Sequence, residues 1–310
     1  MKISICVPCF NEEENIVLMY EKLKQITSKN KKYIFEFIFT DNKSTDNTRQ
    51  LIKNLALKDK RVKGIFFSRN FGSESSGQAA LNYAIGDAFI ALSCDFQDPP
   101  EMILKFIKKW EEGYDVVMGS YFDNKEFFLM TIIRKIFYQV FKKIAEIKVP
   151  TNVTGFGLLD KKVVLALKTL PEKYRFTRGL TAWVGFKQTF IPYKRKKRER
   201  GKSSYSFFDY IKQAERGIFG FSYLILDLMV YGGLVITTLS FLFIVGYLYA
   251  VVVIGNPIKA SIPTMLAIVF FGGIQLLAIS IIGKYIQVIV EETKNRPMYI
   301  VEEIVNLTIK

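Results

Sequence analysis

Through the first 118 positions, short runs of β-branched and aromatic residues alternate with stretches whose apolar residues return every three or four positions. Ile3–Val7, Tyr33–Phe39, Val62–Phe67, Ala88–Ser93 and Val116–Met118 are expected as strands, several of them apolar throughout, as a sheet covered on both faces requires. Glu12–Ile26, Asp46–Leu57, Glu74–Ile85 and Pro100–Trp110 are expected as helices between them. This alternation predicts a doubly wound α/β domain. Ligands of such sheets bind beyond the carboxyl ends of the strands. That rule singles out Pro8–Glu12, Asp41–Asp46, Ser68–Gly72 and Ser93–Asp98. Turns have the same polar composition, but three of these four segments bring carboxylates to one edge of the sheet.

The pattern then changes. Tyr121–Ile147 is aromatic, basic and helical in character, and Val149–Gly157 is expected as a loop. Phe207, Ile211, Ala214, Ile218 and Phe221 recur at helical spacing among polar residues, which predicts an amphipathic helix lying in a membrane interface. Leu228–Ile254 and Ala260–Gly283 carry no charge, and each exceeds the roughly 20 residues that cross a bilayer. The expected division is a soluble domain 1–203, an interfacial helix 204–226, spans 227–254 and 261–286 joined by an external loop 255–260, and a cytosolic tail 287–310. Basic residues crowd both flanks, whereas the connecting loop has only Lys259, so both ends should face the cytosol.

Composition agrees with a mixed chain: half of the 310 residues are hydrophobic, but the long apolar stretches fall after about position 218. The formal charge of +15 alone fits nucleic acid, an anionic membrane or a phosphorylated substrate. Its densest run, Lys194–Lys202, precedes the first span, where lipid headgroups are the expected partner. Histidine is absent, which removes Ser-His-Asp and Cys-His catalysis and every His-ligated metal site. Cys6 and Cys9 have a C-x-x-C spacing, but on a strand instead of opening a helix, where a redox pair would lie. The N-terminal apolar run is too short for a signal peptide and leads straight into acidic residues.

Asp95 and Gln97 alternate on an extended stretch after the fourth strand, so their oxygens can meet at a hard cation such as Mg²⁺ or Mn²⁺. A helix N-cap at Asp98 explains Asp98–Pro100 but not that preceding pair.

Together, Val7–Glu12, Asp41–Asp46, Ser68–Gly72 and Cys94–Glu101 resemble glycosyltransferase family 2, and more narrowly its polyprenyl-phosphate glycosyltransferases. The likeness continues through Arg175–Leu180, Trp183–Phe186, Gly201–Tyr205 and Lys294–Tyr299, nearly the whole chain. It implies a GT-A-like nucleotide-sugar-binding domain in which Pro8, Phe10, Asn11 and Glu12 line the nucleotide, with Asp41 and Asn42 at the base. Ser93, Cys94 and Asp95 would complete that site, with Asp95 and Gln97 on the metal. Asn42 stands where the family usually has a second Asp, Ser93 replaces the first Asp of its metal motif, and Gly155 falls where many relatives carry a carboxylate. Arg134, Arg198 and Ser203 occupy positions that in the family hold the acceptor or donor phosphates, so the resemblance implies Asp95, Arg134 and Arg198 as the catalytic residues.

The expected reaction is an inverting, metal-dependent transfer of glucose from UDP-glucose to undecaprenyl phosphate at the bacterial inner membrane. Alternatives are GDP-mannose, UDP-galactose or an aminosugar nucleotide as donor, or a non-catalytic membrane scaffold that keeps the fold. The partners are a nucleotide sugar, a polyprenyl phosphate and the membrane, without nucleic acid; a homo-oligomer is left open.

Overall fold

A computed structural model describes residues 1–122, 152–198, 200, 215–217, 219–222, 224–255 and 261–307. The regular alternation gives β1 (Lys2–Cys9), α1 (Ile16–Ser28), β2 (Ile34–Asp41), α2 (Thr48–Lys58), β3 (Val62–Phe67), α3 (Ser73–Tyr83), β4 (Ala88–Ala91), α4 (Met102–Glu111) and β5 (Val116–Phe122). These follow the sequence pattern because each strand is buried on both faces. Ile3, Ile5 and Val7 of β1 pack with α1 and α4 on one side, while Cys6 joins Ile38, Ile65 and α3 on the other.

Beyond β5 come β6 (Val153–Asp160), α5 (Lys161–Thr169), α6 (Thr177–Trp183), β7 (Gln188–Lys194), α7 (Leu224–Ile254), α8 (Ser261–Thr293) and β8 (Val301–Val305). The strands form one mixed sheet in the order β7-β5-β6-β4-β1-β2-β3-β8. The pairs β4-β1, β1-β2, β2-β3 and β5-β7 are parallel, while β6 runs antiparallel to β4 and β5, and β8 antiparallel to β3.

Two expectations change. From Val153 onward the expected loop is a strand, and Gly157 explains the close fit: a Cβ there would meet Val117 O at 2.5 Å and Met118 Cα at 2.9 Å. The last residues, expected as a tail, supply an edge strand to the sheet. Glu302 pairs with Lys43 and Arg49, Glu303 with Arg49 and Lys53, and the Tyr299 ring stacks on Phe67.

The two long helices are candidate membrane spans over Leu224–Tyr249 and Ala267–Thr293. Their large apolar side chains, including Leu234, Phe243, Val252, Ile268 and Leu276, are exposed, an apolar surface far larger than a protein in water presents. At its end, α8 is tied to the sheet domain: the Glu292 carboxylate accepts from the backbone N–H of Lys173 and Tyr174 at 2.9 and 2.7 Å.

Candidate active site

Strand direction decides where chemistry can gather. β1 to β5 and β7 all end on one edge, and β8 begins there. Between β1 and β4 the order reverses, the position at which open α/β sheets hold ligands. The segments after β1, β2, β4 and β7 meet at this edge.

After β2, Asp41 is fully buried. Its Oδ1 accepts from Ser44 N at 3.1 Å, while Oδ2 is buried without a partner. Desolvation pushes this carboxyl above its usual range, partly offset by the bonds to Ser44. A buried acceptor left open in this way is suited to an N–H of an incoming ligand. Asn42 is occupied: its Nδ2 donates to Asn70 Oδ1 at 2.9 Å and its Oδ1 accepts from Phe71 N at 2.8 Å. Asn11, in the left-handed region at φ 53°, accepts from Thr45 N at 2.8 Å and fastens the first loop to the second. Pro8 lies opposite Thr40 in the β1–β2 register; Pro8 and Phe10 are half-buried.

After β1 and β4 the charged groups converge. Arg198 Nη2 donates to Glu12 Oε1 at 2.8 Å, and Arg198 Nη1 lies 4.0 Å from Asp95 Oδ2. Burial raises the Glu12 carboxyl, with Asn15 and Arg198 acting against it. Asp95 Oδ1 accepts from Gln97 N at 3.1 Å. Gln97 Oε1, expected with Asp95 on a cation, accepts from Arg195 Nη2 at 3.2 Å. Glu12 and Asp95 are the carboxylates beside the Arg198 guanidinium, at 2.8 and 4.0 Å. Their hard oxygens fit Mg²⁺ or Mn²⁺.

Asp98 is not a helix cap. It lies buried against the Tyr193 hydroxyl and Arg195; the sequence marks Arg195 only as part of the basic 194–202 run, and Tyr193 not at all. Their alternation at the end of an amphipathic strand is the only local signal. Ser93 is half-buried and Cys94 buried at this edge. Cys6, Cys9 and Cys94 are free thiols, and Cys6 and Cys9 belong to opposite faces of the sheet, so their C-x-x-C spacing forms no redox pair. Gly155, at φ 95°, faces open space. Arg134 and Ser203 lie outside the described residues.

An α/β sheet with a carboxylate cluster and an open buried acceptor at its switch point is the framework of a nucleotide-binding enzyme. Comparison narrows this: the profile for Glycosyl transferase family 2 matches residues 4–167, and the chain belongs to that family as a glycosyltransferase of GT-A-like fold. It is similar to an uncharacterized glycosyltransferase of Bacillus subtilis, at 37% identity over 98% of this chain and 94% of that one. Against the bactoprenol glucosyl transferase of Shigella phage SfX, identity is 36% over 97% of this chain and 99% of that one. A prophage bactoprenol glucosyl transferase homolog of Escherichia coli is 35% identical over 98% and 99% of the respective chains.

Proposed function

We propose that this glycosyltransferase transfers a hexose, glucose from UDP-glucose in the first instance, to undecaprenyl phosphate at the cytosolic face of the bacterial inner membrane. The observation that carries the reading is a matter of direction. The chain departs toward α7 from the sheet edge where β7 ends, and it returns from α8 to the same edge where β8 begins. That edge, from which the chain leaves for its candidate spans and to which it returns, also holds Asp41, Glu12, Asp95 and Arg198. Similarity over nearly the full length to relatives named bactoprenol glucosyl transferase supports a lipid phosphate as acceptor.

In this reading Asp41 Oδ2 accepts an N–H of the base, and Asn11, Asn42 and Asn70 tie together the three loops after β1, β2 and β3 that frame it. Asp95, with Glu12 beside it, would hold a divalent metal, which when bound neutralises the departing diphosphate. Gln97 is the third candidate ligand only if its amide oxygen leaves Arg195. Arg198, with Arg134 and Ser203, aligns the lipid phosphate. One phosphate oxygen bonds to the anomeric carbon as its bond to the diphosphate breaks, with inversion. A phosphomonoester is largely dianionic above its second pKa of about 6, so the nucleophile needs no proton removed, consistent with Gly155 where a carboxylate base would otherwise stand.

Purified full-length protein incubated with polyprenyl phosphate and a panel of radiolabelled nucleotide sugars should label the lipid from one donor, with a rate that rises with pH through about 6 and then levels off. Labelling of neutral polyprenol, or of no lipid with any donor, would reject the reading.

A further inference from the structure

Asp98 follows the Asp95–Gln97 loop but is 1% exposed, facing the protein interior. Its Oδ1 accepts from the Tyr193 hydroxyl, and Arg195 Nε lies 3.2 Å from the same oxygen without hydrogen-bond alignment. Tyr193 is itself immobilised: its ring meets Phe156 edge-on with centroids 5.6 Å apart, and a Cβ on Gly119 would come within 2.8 Å of its Cε1. This anchor serves an exacting path. Residues 195–198 run from β7, the last strand on that side, toward Glu12 after β1, four strand positions away. That is roughly 19 Å at the usual strand spacing, against roughly 14 Å for four extended residues. The Arg198 side chain covers the remainder.

The segment is fastened along its length. Lys196 N donates to Gln97 O at 3.0 Å, Gln97 Nε2 to Lys196 O at 3.4 Å, and Arg195 Nη2 to Gln97 Oε1 at 3.2 Å. Arg195 is the hub, because it also neutralises the buried Asp98. Without that carboxylate its partly buried guanidinium would keep the bond to Gln97 but lose its buried counter-charge, a costly state.

We propose that Asp98 is a positioning residue: through Arg195 and Tyr193 it fastens the 195–198 strap over the Asp95–Gln97 loop and so sets Arg198 against Glu12 and Asp95. The kinetic arm of the test rests on the proposed role of Arg198; the exchange arm does not.

The experiment uses full-length protein in detergent, with Asp98→Asn, Arg198→Ala and the double variant. Amide hydrogen exchange across 195–198 should quicken about tenfold in Asp98→Asn while β1 is unchanged. Turnover should fall about tenfold in Asp98→Asn, yet the double variant should be within about twofold of Arg198→Ala alone, since both act on one group. If Asp98→Asn does not fold, Tyr193→Phe, which removes one hydroxyl, carries the same measurements with a smaller change. Unchanged exchange, or losses that multiply in the double variant, would overturn the proposal. Wild-type turnover in Arg198→Ala would instead remove the function assigned to Arg198, and exchange alone would then decide whether Asp98 fastens the strap.

Discussion

Asn42 and Asn70 are joined side chain to side chain, Nδ2 to Oδ1 at 2.9 Å, across the loops that follow β2 and β3. Asn70 Oδ1 also accepts from Gly72 N at 2.9 Å, so Asn70 cannot present its amide nitrogen to Asn42 without abandoning that bond. An aspartate at 42 would set two acceptors against each other. Asn42→Asp should lose about 1–2 kcal/mol of stability and raise the donor KM. Thermal melts in detergent and initial-rate kinetics check this; equal melting and equal KM would show that the link is not needed.

Asp95 supplies the carboxylate nearest Arg198 beyond Glu12. Asp95→Ala should abolish turnover, by about a hundredfold or more, and remove dependence on Mg²⁺ or Mn²⁺. Gln97→Ala should be milder, since an amide brings no charge to the site. Assays across a metal titration distinguish the two, and full activity of Asp95→Ala in EDTA would refute the metal assignment.

Burial raises the Asp41 carboxyl above its unfolded value. Between those two pKa values the folded chain holds a proton that the unfolded chain has released, so this group's contribution to stability declines as pH rises through the window and stays low above it. Asp41→Asn removes that decline. Without nucleotide, the melting temperature of the variant should gain on the wild type as pH goes from about 4 to neutrality, while its donor affinity falls. Burial also raises Glu12 and Asp98, which remain in both proteins and cancel in the comparison. A difference independent of pH would refute this account.

Both flanks of the α7–α8 pair should face the cytosol. All three native cysteines are buried, so a single introduced cysteine reports its own position. One at Asn256 should react with an impermeant thiol reagent outside intact cells, and one at the exposed Arg296 only after lysis. The reverse labelling would place the site away from cytosolic nucleotide sugars.

The elements around the site were legible where burial leaves a regular mark. β1 to β5 are mostly apolar runs, broken only by residues such as Ser4, Glu36 and Lys63, and the polar residues after them fall at the carboxyl edge. β7 and β8 were hidden by their position at the margins of the sheet. Pro192 is tolerated in an edge strand, and β8 reads as acidic because Glu302 and Glu303 meet cations on neighbouring segments. β6 was obscured by Gly155 and Gly157. The Asp98–Arg195 contact joins residues 97 positions apart, and no local pattern signals such a pair. Asn42 reads as a departure until Asn70 is seen beside it.

The antiparallel pairing of β3 with β8 also imposes a timetable on biosynthesis. β3 ends at Phe67 and its partner begins at Val301, after both long apolar helices. At about 5–20 residues per second, the ribosome delivers that partner on the order of 10–50 s later. Throughout that interval the nascent domain carries a bare strand edge, open to pairing with another chain. The β3 edge is covered only when β8 emerges, by which time the apolar helices already precede it on the nascent chain. A premature stop before residue 301 would therefore leave a domain with most of its site residues but with β3 permanently uncovered, a product expected to aggregate instead of persisting as an active enzyme.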